Sequence, residues 1–398
     1  MTRAIKSDLD GDGRAEISIT SPWGLGVLAL SDGALSSTIA VANGTRLGDW
    51  ALDTRSDRVD LVADLDGDGR CELFVTNPRG VAALQLQGDA LAALAMAPNG
   101  ATLGGWRLQT LGDNFGPALD LDGDGRAELF VASARGVGVL ALARGELVAT
   151  AVAENGAQLG GWSLDTATDR FSSAGDLDGD GAAELLVTGP RGLAVLELCG
   201  HALSTALYVA NGTDLGGWIY DSAHNHVVAA ADLDGDGRSE LLIASRQGLG
   251  IFKRLPDGAL MRMLHVPNGA RLGEWTLDTR TDRIGPAADL DGDGRPELLV
   301  TSPAGLGILK LSAGALTTIA FATNGAQLGA WPLHTARNHI CGVADFDADG
   351  RAELLVTSRS GLGVLALAGG LTALTTAPNG AQLGAWRLDT TRDHVEPG

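Results

Sequence analysis

The sequence predicts an all-β fold, a seven-bladed β-propeller with four antiparallel strands in each blade and a ring closed by the two termini. An acidic segment recurs seven times at a spacing of 56 residues, with one step of 57, and each repeat contains several short β-rich runs. Four-stranded sheets repeated radially form stable propellers with about four to eight blades, so seven units fit this architecture. We therefore expect residues 1–398 to form a single domain of seven repeats, with acidic segments starting at residues 8, 64, 120, 176, 232, 289 and 345.

Each repeat has the pattern of strands separated by turns. In the second repeat, residues 72–76, 81–86 and 90–97 are strand-like runs bounded by Gly, Pro, Asn and Asp, and a last extended stretch leads to the next acidic segment. The run after an acidic segment is often apolar on both faces, as in residues 185–187, which is expected of a sheet covered on both sides. The chain ends at the start of an extended stretch whose remainder matches residues 4–7, so the two ends are predicted to complete one strand together.

Composition narrows the function classes. The net charge is −20, yet 28 of the 49 acidic residues lie in the seven acidic segments, so the acidity is local. Seven bound divalent cations would bring the net charge to about −6, and without them the clustered carboxylates would repel one another. No basic run suggests nucleic acid as a partner, no apolar run suggests membrane insertion, and we expect no signal peptide in this chain. The three scattered cysteines indicate neither a disulfide framework nor a zinc site.

The acidic segment has the spacing of a calcium-binding loop. Its pattern Asp-x-Asp-x-Asp-Gly-x-x-Glu offers carboxylates at positions 1, 3, 5 and 9 and a backbone carbonyl at position 7, which suits the six to eight oxygen ligands of Ca²⁺. Mg²⁺ is disfavoured in a crowded protein cage, and Zn²⁺ would require His or Cys. Up to seven structural calcium ions are therefore expected. The predicted ligands are Asp8, Asp10, Asp12, Arg14, Glu16; Asp64, Asp66, Asp68, Arg70, Glu72; Asp120, Asp122, Asp124, Arg126, Glu128; Asp176, Asp178, Asp180, Ala182, Glu184; Asp232, Asp234, Asp236, Arg238, Glu240; Asp289, Asp291, Asp293, Arg295, Glu297; and Asp345, Asp347, Asp349, Arg351, Glu353.

This loop resembles the calcium loops of FG-GAP or VCBS repeats, the family of the integrin-α propellers. The run Thr-Ser-Pro-Ala-Gly-Leu-Gly at residues 301–307 stands where those repeats carry a Gly-Ala-Pro turn, and the similarity extends over the whole chain. The sequence departs from that family by carrying Glu in place of Asp at position 9. The resemblance implies calcium ions that stiffen the blades and take no part in catalysis.

A second element, Asn-Gly-x-x-Leu-Gly-x-Trp, also recurs in every repeat, and a polar residue stands six positions before each following acidic segment. The Trp residues are either packing residues between blades or packing residues that also contact a ligand, and the polar positions are either solvated residues or ligand contacts. The candidate ligand-binding residues are Trp50, Trp106, Trp162, Trp218, Trp275, Trp331 and Trp386, together with Arg58, Asn114, Arg170, His226, Arg283, His339 and His394.

The second element is similar to the N-acetylglucosamine-binding propeller lectins of the Psathyrella velutina type. The local match is best where His-Asn-His-Val at residues 224–227 leads into Ala-Asp-Leu-Asp at residues 231–234. The sequence departs from those lectins in a longer segment between Trp and acidic loop, and in Arg or Asn at most of the His positions. The resemblance implies sugar sites between adjacent blades, built from an aromatic ring and a nearby polar residue.

Three functions fit these features. The first is a calcium-stabilised, multivalent carbohydrate-binding protein, or lectin, with glycans or glycoproteins as partners. The second is a non-enzymatic, integrin-like platform for protein interactions. The third is an enzyme acting on polysaccharides, which the sequence supports least because no unique constellation of acid, base and nucleophile breaks the repeat, so no enzymatic activity is expected. The calcium requirement predicts action outside the cell or at its surface.

Overall fold

Each repeat folds into a four-stranded antiparallel sheet, and seven such sheets form the blades of a propeller in the computed structural model, which describes residues 7–397. The strands of a blade lie side by side in chain order, and the first strands of neighbouring blades lie next to one another around the centre. We therefore name the four strands inner, second, third and outer, and we number the blades by their acidic loops. The predicted fold class is confirmed.

The strands have similar bounds in all blades. The inner strands are His394–Pro397 in blade 1, then Arg58–Ala63, Asn114–Leu119, Arg170–Gly175, His226–Ala231, Arg283–Ala288 and His339–Ala344. The second strands are Ile17–Ser21, Glu72–Asn77, Glu128–Ser133, Glu184–Gly189, Glu240–Ser245, Glu297–Ser302 and Glu353–Ser358. The third strands are Gly24–Ser31, Gly80–Gln87, Gly136–Ala143, Gly192–Cys199, Gly248–Arg254, Gly305–Ser312 and Gly361–Leu367. The outer strands are Ala34–Ala42, Ala90–Pro98, Glu146–Glu154, Ala202–Ala210, Leu260–Pro267, Ala315–Thr323 and Leu371–Pro378.

A connector carries the repeated Trp element from each outer strand to the inner strand of the next blade. Six connectors contain a short two-stranded hairpin, and the one leading to blade 5 has a single bridge between Asp214 and Ile219 instead. The hairpins pair Arg46–Leu47 with Trp50–Ala51, Thr102–Leu103 with Trp106–Arg107, Gln158–Leu159 with Trp162–Ser163, Arg271–Leu272 with Trp275–Thr276, Gln327–Leu328 with Trp331–Pro332, and Gln382–Leu383 with Trp386–Arg387.

The ring closes through the C-terminal strand. His394–Pro397 pairs antiparallel with Ile17–Ser21, so the end of the chain supplies the inner strand of the blade whose other strands come from the beginning. This confirms closure by the two termini. Of the N-terminal residues 4–7 predicted to complete that strand, only Ser7 is among the described residues.

The hydrophobic core lies between the blades. Seven clusters of buried side chains each join two neighbouring blades, and the second and third strands are buried on both faces, as predicted. The longer 57-residue step is absorbed at the edge of blade 5. There the turn between third and outer strands spans residues 255–259, whereas the corresponding turn in blade 1 has two residues, Asp32 and Gly33.

No helix in the described residues is both long and apolar enough to cross a membrane.

We predict that Gly307→Val destabilises the protein by about 1–3 kcal/mol because it overpacks the space between blades. A Cβ atom at Gly307 would lie 2.7 Å from the Trp275 ring. Gly307→Ala is the matched control, since Ala82 and Ala194 occupy the same position in blades 2 and 4 and are fully buried there. Urea unfolding measures the difference, and equal stability of Gly307→Val and the parent would contradict this packing role.

Candidate functional site

The two repeated elements lie on opposite faces of the propeller. Every inner strand begins with one of the predicted polar residues, and six of the seven run directly into an acidic loop. The polar residues therefore surround one face and the acidic loops the other. We call these the connector face and the loop face. The sequence therefore places its two sets of candidate residues at separate sites.

Each acidic loop is wound around its first Asp and its Glu. In the first loop, Asp8 accepts hydrogen bonds from the backbone N–H groups of Gly11 (2.5 Å) and Gly13 (2.8 Å). Glu16 accepts one from the N–H of Leu9 (2.6 Å) with its Oε2 atom. The same bonds recur in the other loops, where position 4 is Gly or, in the seventh loop, Ala348. These bonds order the loop backbone and leave carboxylate oxygens facing inward.

Backbone hydrogen bonds also join each loop to the preceding one. The N–H at position 8 of a loop donates to the carbonyl oxygen of the first Asp in the preceding blade. The pairs are Ala15 to Asp345 (2.8 Å), Cys71 to Asp8 (2.7 Å), Ala127 to Asp64 (2.8 Å), Ala183 to Asp120 (2.7 Å), Ser239 to Asp176 (2.5 Å) and Ala352 to Asp289 (2.7 Å). In the sixth loop, position 8 is Pro296, which has no N–H to donate. The loops thus form one hydrogen-bonded circuit with a single break.

The carboxylates converge as a cation site requires. Oxygen atoms of Asp8, Asp10 and Glu16 lie within 4.8 Å of one another, and equivalent groups occur at Asp64, Asp66 and Glu72 and at Asp120, Asp122 and Glu128. Glu16 is buried, and its Oε1 atom makes no hydrogen bond within the described part of the chain. The donor set and this unpartnered oxygen fit a calcium ion. The carbonyls at position 7 and the identity of the ion stay predictions.

The buried Glu of each loop shows why a counter-charge matters. Burial raises the pKa of Glu16 to about 8, and the nearby carboxylates of Asp10 and Asp8 act in the same direction, against the hydrogen bond from Leu9. The pKa of Glu353 is likewise raised to about 8, mainly by burial. An ionised Glu at neutral pH is therefore unfavourable in these loops without a nearby cation.

On the connector face, the seven Trp residues of the repeat are packing residues. Their exposed fractions are only 1–7%. The rings of Trp106, Trp275 and Trp331 lie against glycines of the third strand in the following blade. This burial leaves little indole surface for a sugar, so the expected stacking on these Trp rings is not supported by their geometry.

A hydrogen bond seven residues along the chain holds most of these indoles. The Nε1–H groups donate to side chains that immediately precede the polar positions, at 2.9–3.2 Å: Trp50 to Asp57, Trp106 to Asp113, Trp162 to Asp169, Trp218 to Asn225, Trp275 to Asp282 and Trp386 to Asp393. The Asn of each Asn-Gly pair braces the same connector, as when Asn155 accepts from the N–H of Thr166 at 3.0 Å. Both repeated residues therefore shape the connector.

The polar positions remain available to a ligand. All seven side chains are exposed at the starts of the inner strands: Arg58, Asn114, Arg170, His226, Arg283, His339 and His394. Between blades 4 and 5, Arg170 and His226 line one cavity of about 530 Å³ together with Ser172, Thr188 and Asn211. The structure thus brings two predicted residues together with hydroxyl and amide groups.

Sequence reasoning missed Trp23, the one Trp outside the repeat. Its side chain is 64% exposed, and it lines a cavity of about 610 Å³ between blades 7 and 1 with Trp386, Arg387 and Asp389. Arg79, Arg135 and Arg191 hold the corresponding position in blades 2 to 4. The signal was present in the sequence, because a Trp at a position where other repeats carry Arg breaks the symmetry.

Comparison with known proteins supports the repeat and the fold. The FG-GAP-like repeat model matches residues 120–187 and 289–356, so the chain carries FG-GAP-like repeats, while curated protein sequences yield no match. An Agrocybe aegerita lectin, described for specific recognition of non-reducing terminal N-acetylglucosamine, is similar over 96% of this chain and 95% of its own, with a TM-score of 0.62 and 19% identity. A Lactobacillus plantarum protein has a TM-score of 0.50 and 16% identity over 92% of this chain and 98% of its own.

A periplasmic gluconolactonase of Pseudomonas aeruginosa has a TM-score of 0.49 and 16% identity over 96% of this chain and 99% of its own. The similarities to the lectin and to the Lactobacillus plantarum protein, at 19% and 16% identity, show the propeller fold alone. The resemblance is thereby confirmed for FG-GAP-like repeats in the matched residues and for the propeller fold.

We predict that Asp282→Ala lowers the free energy of unfolding by about 1–3 kcal/mol, because it leaves two partly buried donors without an acceptor. Asp282 accepts from Trp275 Nε1 and from the N–H of Asp278, both at 2.9 Å. Asp282→Asn is the matched control, since Asn225 makes the same two bonds in blade 5. Urea unfolding of the three proteins should place the Asn variant near the parent. Equal losses in both variants would refute the hydrogen-bonding role.

Proposed function

We propose that this protein is a calcium-stabilised, multivalent carbohydrate-binding propeller that recognises glycans on its connector face. The observation that carries the proposal is the cavity between blades 4 and 5, where Arg170 and His226 lie beside Ser172, Thr188 and Asn211. A concave site with several hydrogen-bonding side chains and apolar walls suits a sugar with many hydroxyl groups. The similarity to a lectin of the same fold supports this choice.

The cavity at Trp23, between blades 7 and 1, would supply the aromatic contact that the buried repeat tryptophans do not. An exposed indole can cover the apolar face of a sugar ring, and Arg387 and Asp389 stand in the same cavity to bond its hydroxyls. The polar positions recur at each blade, so weak sites could act together on a glycan-coated surface. Glycans or glycoproteins outside the cell are the partners we propose.

The side chains on the connector face favour binding over catalysis. Neither cavity brings two carboxylates together among its described lining residues, and both are built on elements that recur around the ring. General acid–base chemistry on a polysaccharide typically uses such a carboxylate pair. We propose that the protein binds its ligand without altering it chemically.

A protein-interaction platform is the second candidate. It is favoured by large apolar side chains that stand exposed on the connectors or beside them, with exposed fractions of 84% for Leu111, 64% for Trp23 and 59% for Ile219. Exposed apolar side chains of this size can mark protein contacts where they lie together. Binding to a protein stripped of its glycans would favour this candidate.

A glycan array in millimolar calcium tests the carbohydrate proposal. We expect binding to a defined group of glycans, followed by titration calorimetry with the free sugar. Arg170→Ala should weaken sugar binding in the cavity between blades 4 and 5 by about tenfold, because a hydrogen bond from a charged group is lost. Arg280→Ala is the control, because Arg280 is exposed and pairs with Asp278 of its own connector. No glycan binding with calcium saturated would refute the proposal.

We predict that Trp23→Arg weakens binding in the cavity between blades 7 and 1 by about tenfold, because the aromatic contact is lost. The substitution installs the residue that blades 2 to 4 carry at this position, so the fold should tolerate it. Trp fluorescence should shift with added sugar in the parent and less in the variant. An unchanged affinity would remove Trp23 from the site.

Chelation tests the calcium part of the proposal. A site held at 100 times its Kd contributes about 2.7 kcal/mol, which corresponds to about 3 °C in Tm per site for a chain of this length. We therefore expect EDTA to lower the Tm by several such steps and calcium, but not magnesium, to restore it. An unchanged Tm would refute structural calcium.

A further inference from the structure

One position on the third strand of each blade faces the acidic loop, and its residue differs from blade to blade. The register between second and third strands pairs Leu241 with Phe252 and Leu298 with Leu309, so the next residues, Lys253 and Lys310, stand opposite Glu240 and Glu297. The corresponding residues in blades 1 to 7 are Ala29, Gln85, Ala141, Glu197, Lys253, Lys310 and Ala366. The side chain at this position determines what lies among the carboxylates of the loop.

In blade 5 the side chain is an ammonium group held by three carboxylates. The Nζ atom of Lys253 lies 2.6 Å from Asp234, 2.7 Å from Asp236 and 2.9 Å from Glu240. These three residues are at positions 3, 5 and 9 of the loop, which are predicted metal ligands. One ammonium thus lies within ion-pair distance of three carboxylate oxygens, and it donates a hydrogen bond to Asp234.

Blade 6 repeats this arrangement. Lys310 pairs with Asp291, with Asp293 at 2.8 Å and with Glu297 at 2.8 Å. The Lys side chain is 14% exposed in both blades, so the charge is largely shielded from water. Each ammonium therefore lies where the carboxylates of its own loop converge, largely away from solvent.

Lysine is rare in this chain, and its placement is selective. The sequence contains three lysines, Lys6, Lys253 and Lys310, and all other basic residues apart from His are Arg. Two of the three therefore lie on third strands and place their ammonium groups among the carboxylates of an acidic loop. A compact ammonium on a flexible stem can occupy the point where several oxygens converge, whereas a planar guanidinium needs a wider site.

The remaining loops lack such a group on their own third strand. Ala29, Ala141 and Ala366 are too short to reach the carboxylates, and Gln85 presents a neutral amide 3.1 Å from both Asp68 and Glu72. Blade 4 is a separate case, because Glu197 adds a fifth carboxylate.

Arg254 of blade 5 lies 2.9–3.0 Å from that added carboxylate, Glu197, and from Asp178 and Glu184. There the guanidinium offsets the extra charge, so the net charge of the four loop carboxylates is unchanged.

We propose that Lys253 and Lys310 are built-in cations that take the place of a metal ion in the fifth and sixth loops, so that the chain binds at most five calcium ions. An ion at the centre of either loop would have to share three oxygens with an ammonium, and like charges at that distance repel. The statement about stoichiometry rests on the proposed calcium binding, whereas the placement of the two lysines does not.

Counting bound ions by native mass spectrometry tests the proposal. The parent should bind five calcium ions or fewer. Lys253→Ala and Lys310→Ala install the residue found in blades 1, 3 and 7, and each should add one ion, with the double variant adding two. In EDTA each variant should melt below the parent, and calcium should restore it more than it restores the parent.

The converse substitution, Ala141→Lys, should remove one ion from the third loop. It keeps the proposal testable if the lysine variants fail to fold. Six or seven ions in the parent, or no gain in a folded double variant, would overturn the inference while leaving structural calcium intact. No ion in the parent but one in each lysine variant would refute calcium in the open loops and retain the inference. No ion in any of these proteins would overturn both.

Discussion

The propeller depends on the neutralisation of carboxylates that converge at the ends of its inner strands. Each loop brings three Asp residues and a Glu together, and the Glu is almost completely buried, as for Glu72 and Glu240. Burial and mutual repulsion oppose ionisation, so each loop requires either protons or a cation. Because backbone hydrogen bonds join neighbouring loops, a loop whose charge is not compensated and whose backbone moves also disturbs the next loop. Charge compensation is therefore a property of the ring.

The opposite face is organised by packing. A buried indole wedges between blades, and an acidic or amide side chain seven residues later holds its N–H. That acceptor immediately precedes the exposed polar residue of the inner strand, so anchoring the indole also positions the polar residue. A residue that holds the indole and a residue that faces solvent are thus adjacent in the six connectors where this hydrogen bond forms. This arrangement keeps the connector face constant in backbone while its side chains vary.

Much of the scaffold could be predicted from the repeat. The second, third and outer strands of blade 2 begin and end within about a residue of the predicted bounds, because Gly, Pro and Asn turns flank apolar runs of strand length. The loop residues converge as expected because their spacing is a local property of nine consecutive residues. For the tryptophans the sequence left two roles open, packing alone or packing together with a ligand contact, because their exposure is not a local property. Whether an indole such as Trp275 faces solvent depends on the glycine of another strand, Gly307, which lies 32 positions away.

The position of the lysines could not be predicted from the sequence either. Lys253 is 13 residues from Glu240, and only the strand register places them opposite each other. In a sheet, successive side chains point to opposite faces, so Lys253 reaches its own loop while the next residue, Arg254, reaches the loop of the preceding blade. Two adjacent basic residues thereby serve two different acidic loops. A repeat whose loops are nearly identical can thus acquire different charge states blade by blade through one third-strand position, without any change in the loops themselves.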